Sequence, residues 1–220
     1  MRLLKTATLA VAILALTACY PLSSKHPLGG QKMDSALLGT WTDDGDDGTS
    51  LTFTREDRRT LRAVITDPDE DNGGMHYLIK PSLIGGKTYM SITQLFPRST
   101  IEAYAADEEI SFREAKRQIS KRDSRMNGYY LGYYTITQED DGERLELFLM
   151  DTDSEVVAAD IEAGKISGGR IEVATGEEDG DTEEILYLTS SSRKLADYVL
   201  SYDEDPQILF DFDIVNMTRK

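Results

Sequence analysis

Apolar residues recur at every second position in short runs that end at Gly-containing, mostly acidic turns, and this rhythm limits the fold more than any other feature of the chain. Residues 50–54 alternate Leu51 and Phe53 with hydroxyl side chains, and residues 60–66 set Leu61, Ala63 and Ile65 on one face. Residues 75–83 and 87–94 flank Gly85-Gly86, and residues 129–137 and 144–150 flank Glu139-Asp140-Asp141-Gly142. Residues 171–174 and 184–189 flank a third turn at 176–181. Turns of this kind between alternating runs signal β-hairpins. In residues 208–215, Ile208, Phe210, Phe212 and Ile214 alternate with Leu209, Asp211, Asp213 and Val215, the cleanest pattern of a strand with one buried face. Three segments break the rhythm. Residues 101–121 read as an amphipathic helix broken in two, 153–163 as a short helix stopped by Gly164, and 190–202 as a helix opened by serines. The expectation is nine or ten strands with two or three short helices. Antiparallel hairpins exclude a parallel βαβ fold, and a barrel or strongly curved sheet removes exposed edges.

Composition narrows the function classes. The 220 residues suit one domain, and the single Cys can form neither an internal disulfide nor a multi-Cys zinc site. A net charge of −16 opposes nucleic-acid binding, which needs clustered Lys and Arg. His26 and His76 are the only histidines, and there is no Gly-x-Ser-x-Gly elbow, phosphate loop or dinucleotide fingerprint. A non-catalytic protein without a cofactor is expected. A carboxylate-dependent hydrolase is the less favoured alternative, since forty acidic residues supply many pairs without pattern.

The N-terminus carries an address. Arg2 and Lys5 precede the uncharged run 7–16, which is too short for the ~20 residues of a membrane span and has the length of a signal-peptide core. It ends in Leu16-Thr17-Ala18-Cys19, which resembles the lipobox of bacterial lipoproteins. The resemblance implies removal of residues 1–18 as a lipoprotein signal peptide, a diacylglyceryl group on the Cys19 sulfur and an acyl chain on its new amino group. Several chains hold firmly where one is marginal. Loss of Arg2 and Lys5 moves the net charge from −16 to −18. Residues 19–33 then comprise the lipidated Cys19 and a flexible tether, its Pro, Ser and Gly showing no helical or strand period, with a reach of roughly 20 Å. Residues 34–220 form a single acidic β-rich domain. Tyr20 after Cys19, by the same resemblance, points to the outer membrane, with the body facing the periplasm.

The domain opens with Leu38-Gly39-Thr40-Trp41, and Arg219 follows its last strand candidate. These resemble the Gly-x-Trp start and the closing Arg of lipocalin-like, or calycin-like, barrels. The resemblance implies a Trp that closes one barrel end with the Arg across it, a contact of about 0.5–2 kcal/mol. It covers the two chain ends and the strand rhythm, not the helical segment between residues 97 and 126.

Two further patterns bear on binding. In Tyr129-Tyr130-Leu131-Gly132-Tyr133-Tyr134, alternate tyrosines point to opposite faces, so one pair faces the interior. Trp41, Tyr130 and Tyr134 are therefore the candidate lining for a small amphipathic ligand, and core packing is the plainer use of the same residues. Asp67, Asp69 and Asp71 occupy calcium-loop positions 1, 3 and 5, but the Gly falls one place late and Leu78 stands where the closing acid belongs. The acidic runs 43–48 and 177–181 are denser and less patterned, and no metal is expected. The sequence thus reads as a lipid-anchored cell-envelope protein that binds either a small amphipathic ligand or an envelope protein. A filled barrel in a purely structural or interaction role is the alternative.

Overall fold

The turn chemistry reverses the chain where the sequence places it. The computed structural model describes residues 22–43, 48–68, 74–96, 98–122, 128–140, 142–174 and 182–219. Its strands are β1 (Ser23–Ser24), β2 (Gly39–Asp43), β3 (Ser50–Arg55), β4 (Leu61–Thr66), β5 (Met75–Ile84), β6 (Lys87–Leu95), β7 (Tyr129–Glu139), β8 (Gly142–Leu149), β9 (Gly168–Ala174), β10 (Thr182–Leu188) and β11 (Phe212–Arg219). Four helices accompany them: α1 (Arg98–Asp107), α2 (Phe112–Arg122), α3 (Glu155–Glu162) and α4 (Ser192–Leu200).

Strands β2 to β8 form a meander in which each strand is antiparallel to the next, and β11 fits between β8 and β2 to close it. The result is a closed eight-stranded antiparallel barrel of lipocalin-like topology. Closure removes the exposed edges that an open sheet of these strands would carry. Among the described residues the β2–β11 seam of the barrel is the shortest, with Thr42 opposite Thr218 and Asp43 opposite Met217. On the inward face, Trp41, Leu51, Phe53, Met90, Tyr134 and Leu147 are buried in one continuous cluster.

A second layer lies against the outside of the barrel. Tyr89, Leu131, Tyr133 and Phe148 project outward from β6, β7 and β8 and pack with α3, α4 and the chain around Leu209 and Phe210. Both faces of β7 are therefore covered, which is why its tyrosines come in adjacent pairs. Helices α1 and α2 make a small cluster of their own around Ile101, Ala105 and Ala115. The alternating run 208–215 is not one strand. Pro206–Ile208 is a 3-10 turn, Leu209 and Phe210 are both fully buried in the outer layer, and Ile208 is exposed. The strand begins at Phe212, and its register shifts between Asp213 and Val215, as a β-bulge does.

The expected tether is the main correction. Residues 22–32 are docked along the barrel rather than free of it. Ser23–Ser24 lies between β7 and β10, the Leu22 N–H donates to the Met150 carbonyl (2.8 Å), and the Leu28 N–H donates to Ser91 Oγ (2.8 Å). Leu22 and Leu28 are fully buried. Composition suggested a linker because Pro27, Gly29 and Gly30 bar regular structure. The segment is instead held by scattered backbone hydrogen bonds and two leucine anchors. Leu28→Ala should therefore cost about 2–5 kcal/mol in urea unfolding, whereas exposed Lys25→Ala should stay within about 0.5 kcal/mol of wild type. Equal, small effects would mean that the segment is not docked.

Candidate functional site

The closed end of the barrel is built from its first and last strands. Gly39 enters β2 with φ +118°, and a Cβ there would meet Arg219 Nη1 at 3.3 Å, so Gly supplies both the backbone conformation and the space. The Arg219 guanidinium carbon lies 4.2 Å from the centroid of the fully buried Trp41 ring. Arg219 Nε donates to Glu143 Oε2 (3.0 Å), and Nη1 donates to the Leu38 carbonyl. One side chain thus ties β11 to β8 and to the residue just before β2, across the seam between the first and last barrel strands. The Trp41 indole N–H donates to the Leu37 carbonyl (2.9 Å).

Tyr134 reaches the same end from β7. Its hydroxyl donates to Asp34 Oδ2 (2.8 Å), while Asp34 Oδ1 accepts from the Ala36 N–H (2.9 Å) and caps the 3-10 turn Ser35–Leu37. Burial, together with the Asp34 carboxylate, raises the Tyr134 phenol well above its ordinary range, so it stays a donor. Tyr130 is half-buried at the edge of the barrel cluster. Trp41 and Tyr134 therefore spend their polar atoms on the protein itself. Both side chains are fully buried in the barrel cluster.

Midway along the interior, Gly132 occupies an inward position. A Cβ there would meet Leu147 Cδ1 at 3.0 Å and Leu149 Cδ2 and Met90 Cγ at 3.3 Å. A methyl group at this level would make those three side chains give by a few tenths of an ångström. An open groove of about 300 Å³ runs along β11, lined by Asp43, Ile214, Val215, Asn216 and Met217. Among the described residues no group of His, Cys, Asp and Glu is arranged to hold a metal ion. Residues 69–73 of the calcium-loop comparison, residues 44–47 and 177–181 of the denser acidic runs, and Cys19 lie outside the described residues.

One buried acid escaped the sequence reading. Asp160 of α3 is 4% exposed and accepts from Tyr202 Oη (2.5 Å) and Lys165 Nζ (2.6 Å), joining α3 to the chain after α4. No local motif marks it, because its partners stand outside its own helix. Burial alone would push its carboxyl up, but the hydrogen bonds from Lys165 and Tyr202 outweigh it and hold the group below the ordinary carboxylate value. No family model, curated protein or solved structure matches this chain.

Two measurements check this geometry. Arg219→Ala should lower stability by about 1–3 kcal/mol, and Arg219→Lys should restore only part of it, because an ammonium cannot both stack on the indole and fork to Glu143 and Leu38. Trp41 fluorescence reports the unfolding directly. A depressed carboxylate contributes stability above its unfolded pKa that is lost as pH falls through the folded value. Asp160→Asn should therefore be less stable than wild type at pH near 6, and the gap should narrow as pH falls below about 4. A gap that stays constant with pH would assign Asp160 no ionic role.

Proposed function

We propose that this chain is a lipid-anchored protein of the bacterial cell envelope, non-catalytic, whose barrel is a filled scaffold and whose outer surface engages an envelope partner. The observation that carries the functional half is the packed interior. Trp41, Phe53, Met90 and Tyr134 occupy the space that a hollow barrel would offer a ligand, and Gly132 is hemmed in by three side chains. A small barrel of eight strands has an interior that either side chains or one small ligand can fill. With side chains in place, recognition passes to the exterior.

The anchoring half rests on Leu16-Thr17-Ala18-Cys19 and on the short positive segment before it. Docking of Leu22 changes its consequence. Only Tyr20 and Pro21 separate Cys19 from a residue already bonded to Met150, so a lipid on Cys19 would keep the body within about 10 Å of the bilayer. The anchor then acts as a short leash and restricts which face of the body meets the membrane. A second reading, an amphipathic small molecule on the outside, is favoured by the groove along β11, whose volume of about 300 Å³ sits at the lower end for ligand sites.

The test of the anchor is membrane fractionation of the natural protein beside a Cys19→Ser variant. Wild type should fractionate with membranes and begin at a lipid-modified Cys19, and the variant should be unprocessed or released. Membrane retention of Cys19→Ser, or a native product that keeps Met1 and a free thiol, would overturn the reading.

A further inference from the structure

The eleven strands form one continuous arrangement in which β1, β10 and β9 extend from β7 beyond the closed barrel, and β9 is the terminal strand. Among the described residues nothing pairs with its outer edge. The direction of its backbone groups follows from two hydrogen bonds. The Thr189 N–H donates to the Ser167 carbonyl (2.9 Å), so the odd-numbered residues of β9 turn their N–H and C=O groups toward β10. The Lys25 N–H donates to the Leu188 carbonyl (2.8 Å), so Leu188, opposite Gly168, points away from β9, which agrees. The outward groups are therefore those of Gly168, Arg170, Glu172 and Ala174. The strand contains no Pro, its register with β10 is unbroken, and a Cβ at Gly169 would meet nothing within 4 Å.

We propose that β9 is a self-association edge that pairs antiparallel with β9 of a second copy of this chain, about a two-fold axis at Ile171. The sequence Gly168-Gly169-Arg170-Ile171-Glu172-Val173-Ala174 is complementary to itself in that register. Arg170 and Glu172 are both exposed, and each faces the other residue type in the second copy, at positions where the outward backbone groups hydrogen-bond. Half-buried Ile171 meets its own equivalent in the closer, non-hydrogen-bonded position. Sliding by the smallest step that preserves the hydrogen-bonding parity sets Arg170 against Arg170, or Glu172 against Glu172. Charge thus selects one register and identifies the occupant. Natural edge strands are usually blunted by lone inward charges, Pro or cover. This one carries a pair of opposite charges spaced to satisfy a copy of itself, as an isologous two-fold contact requires.

The test is sedimentation of the mature chain, residues 19–220 with Cys19→Ser, across roughly 1–100 µM, with far-ultraviolet circular dichroism confirming that each variant is folded. Wild type should show a concentration-dependent dimer. Arg170→Glu and Glu172→Arg should each weaken it about tenfold or more, because each turns both symmetry-related pairs repulsive. The double exchange Arg170→Glu with Glu172→Arg should recover wild-type dimerisation to within about threefold. A monomer at every concentration would overturn the proposal. So would a dimer indifferent to the single reversals, or single defects that the double exchange does not repair.

Discussion

The interior of a closed eight-stranded barrel must be occupied, and what occupies it decides what the protein can do. Here the inward positions carry Trp41, Phe53, Met90, Tyr134 and Leu147, and three side chains crowd the position of Gly132. In the function proposed above these side chains are the filling of the barrel, at the density usual for protein interiors. Among the described residues the seam between β2 and β11 is two residue pairs long, and Arg219 supports it by gripping the Leu38 carbonyl and Glu143 while lying over Trp41. The closure is thus made from the two ends of the domain, Trp41 and Arg219.

The outer layer depends on that rigid wall. Tyr89, Tyr133, Phe148 and Phe210 form a chain of aromatic contacts at centroid separations of 5.4–6.3 Å between the barrel and its cover. The N-terminal strap completes this layer, since Leu22 and Leu28 belong to the same buried cluster. A segment that reads as a spacer is in fact a structural part, and any attachment at Cys19 acts on the folded body over a few residues.

Much of the fold was legible because hairpins announce themselves. Gly85-Gly86 sits at the β5–β6 turn, Asp140 opens the β7–β8 reversal, and the helices fall on the three segments that break the alternation, with α1 starting three residues before the first and α2 ending one residue after it. Gly39, Trp41 and Arg219 could be named because their contacts come from fixed residue types near the chain ends. Besides Asp160, three features of the fold were not legible. Alternation shows that a face is buried but not against what, so it could not tell the barrel wall from the outer layer in β7. The strap is held by backbone bonds, such as the Gly29 N–H to the Ser192 carbonyl, which leave no side-chain pattern. Leu209 and Phe210 continue an alternating pattern across a 3-10 turn, and only the fold reveals that both enter the outer core.

Native mass spectrometry of the protein taken from its own host addresses the occupied interior most directly. The account expects the mass of the processed polypeptide with its covalent lipid and nothing retained. A stoichiometric amphiphile that stays bound to the folded chain and leaves on unfolding would contradict it, because the barrel would then have room that its side chains are held here to fill.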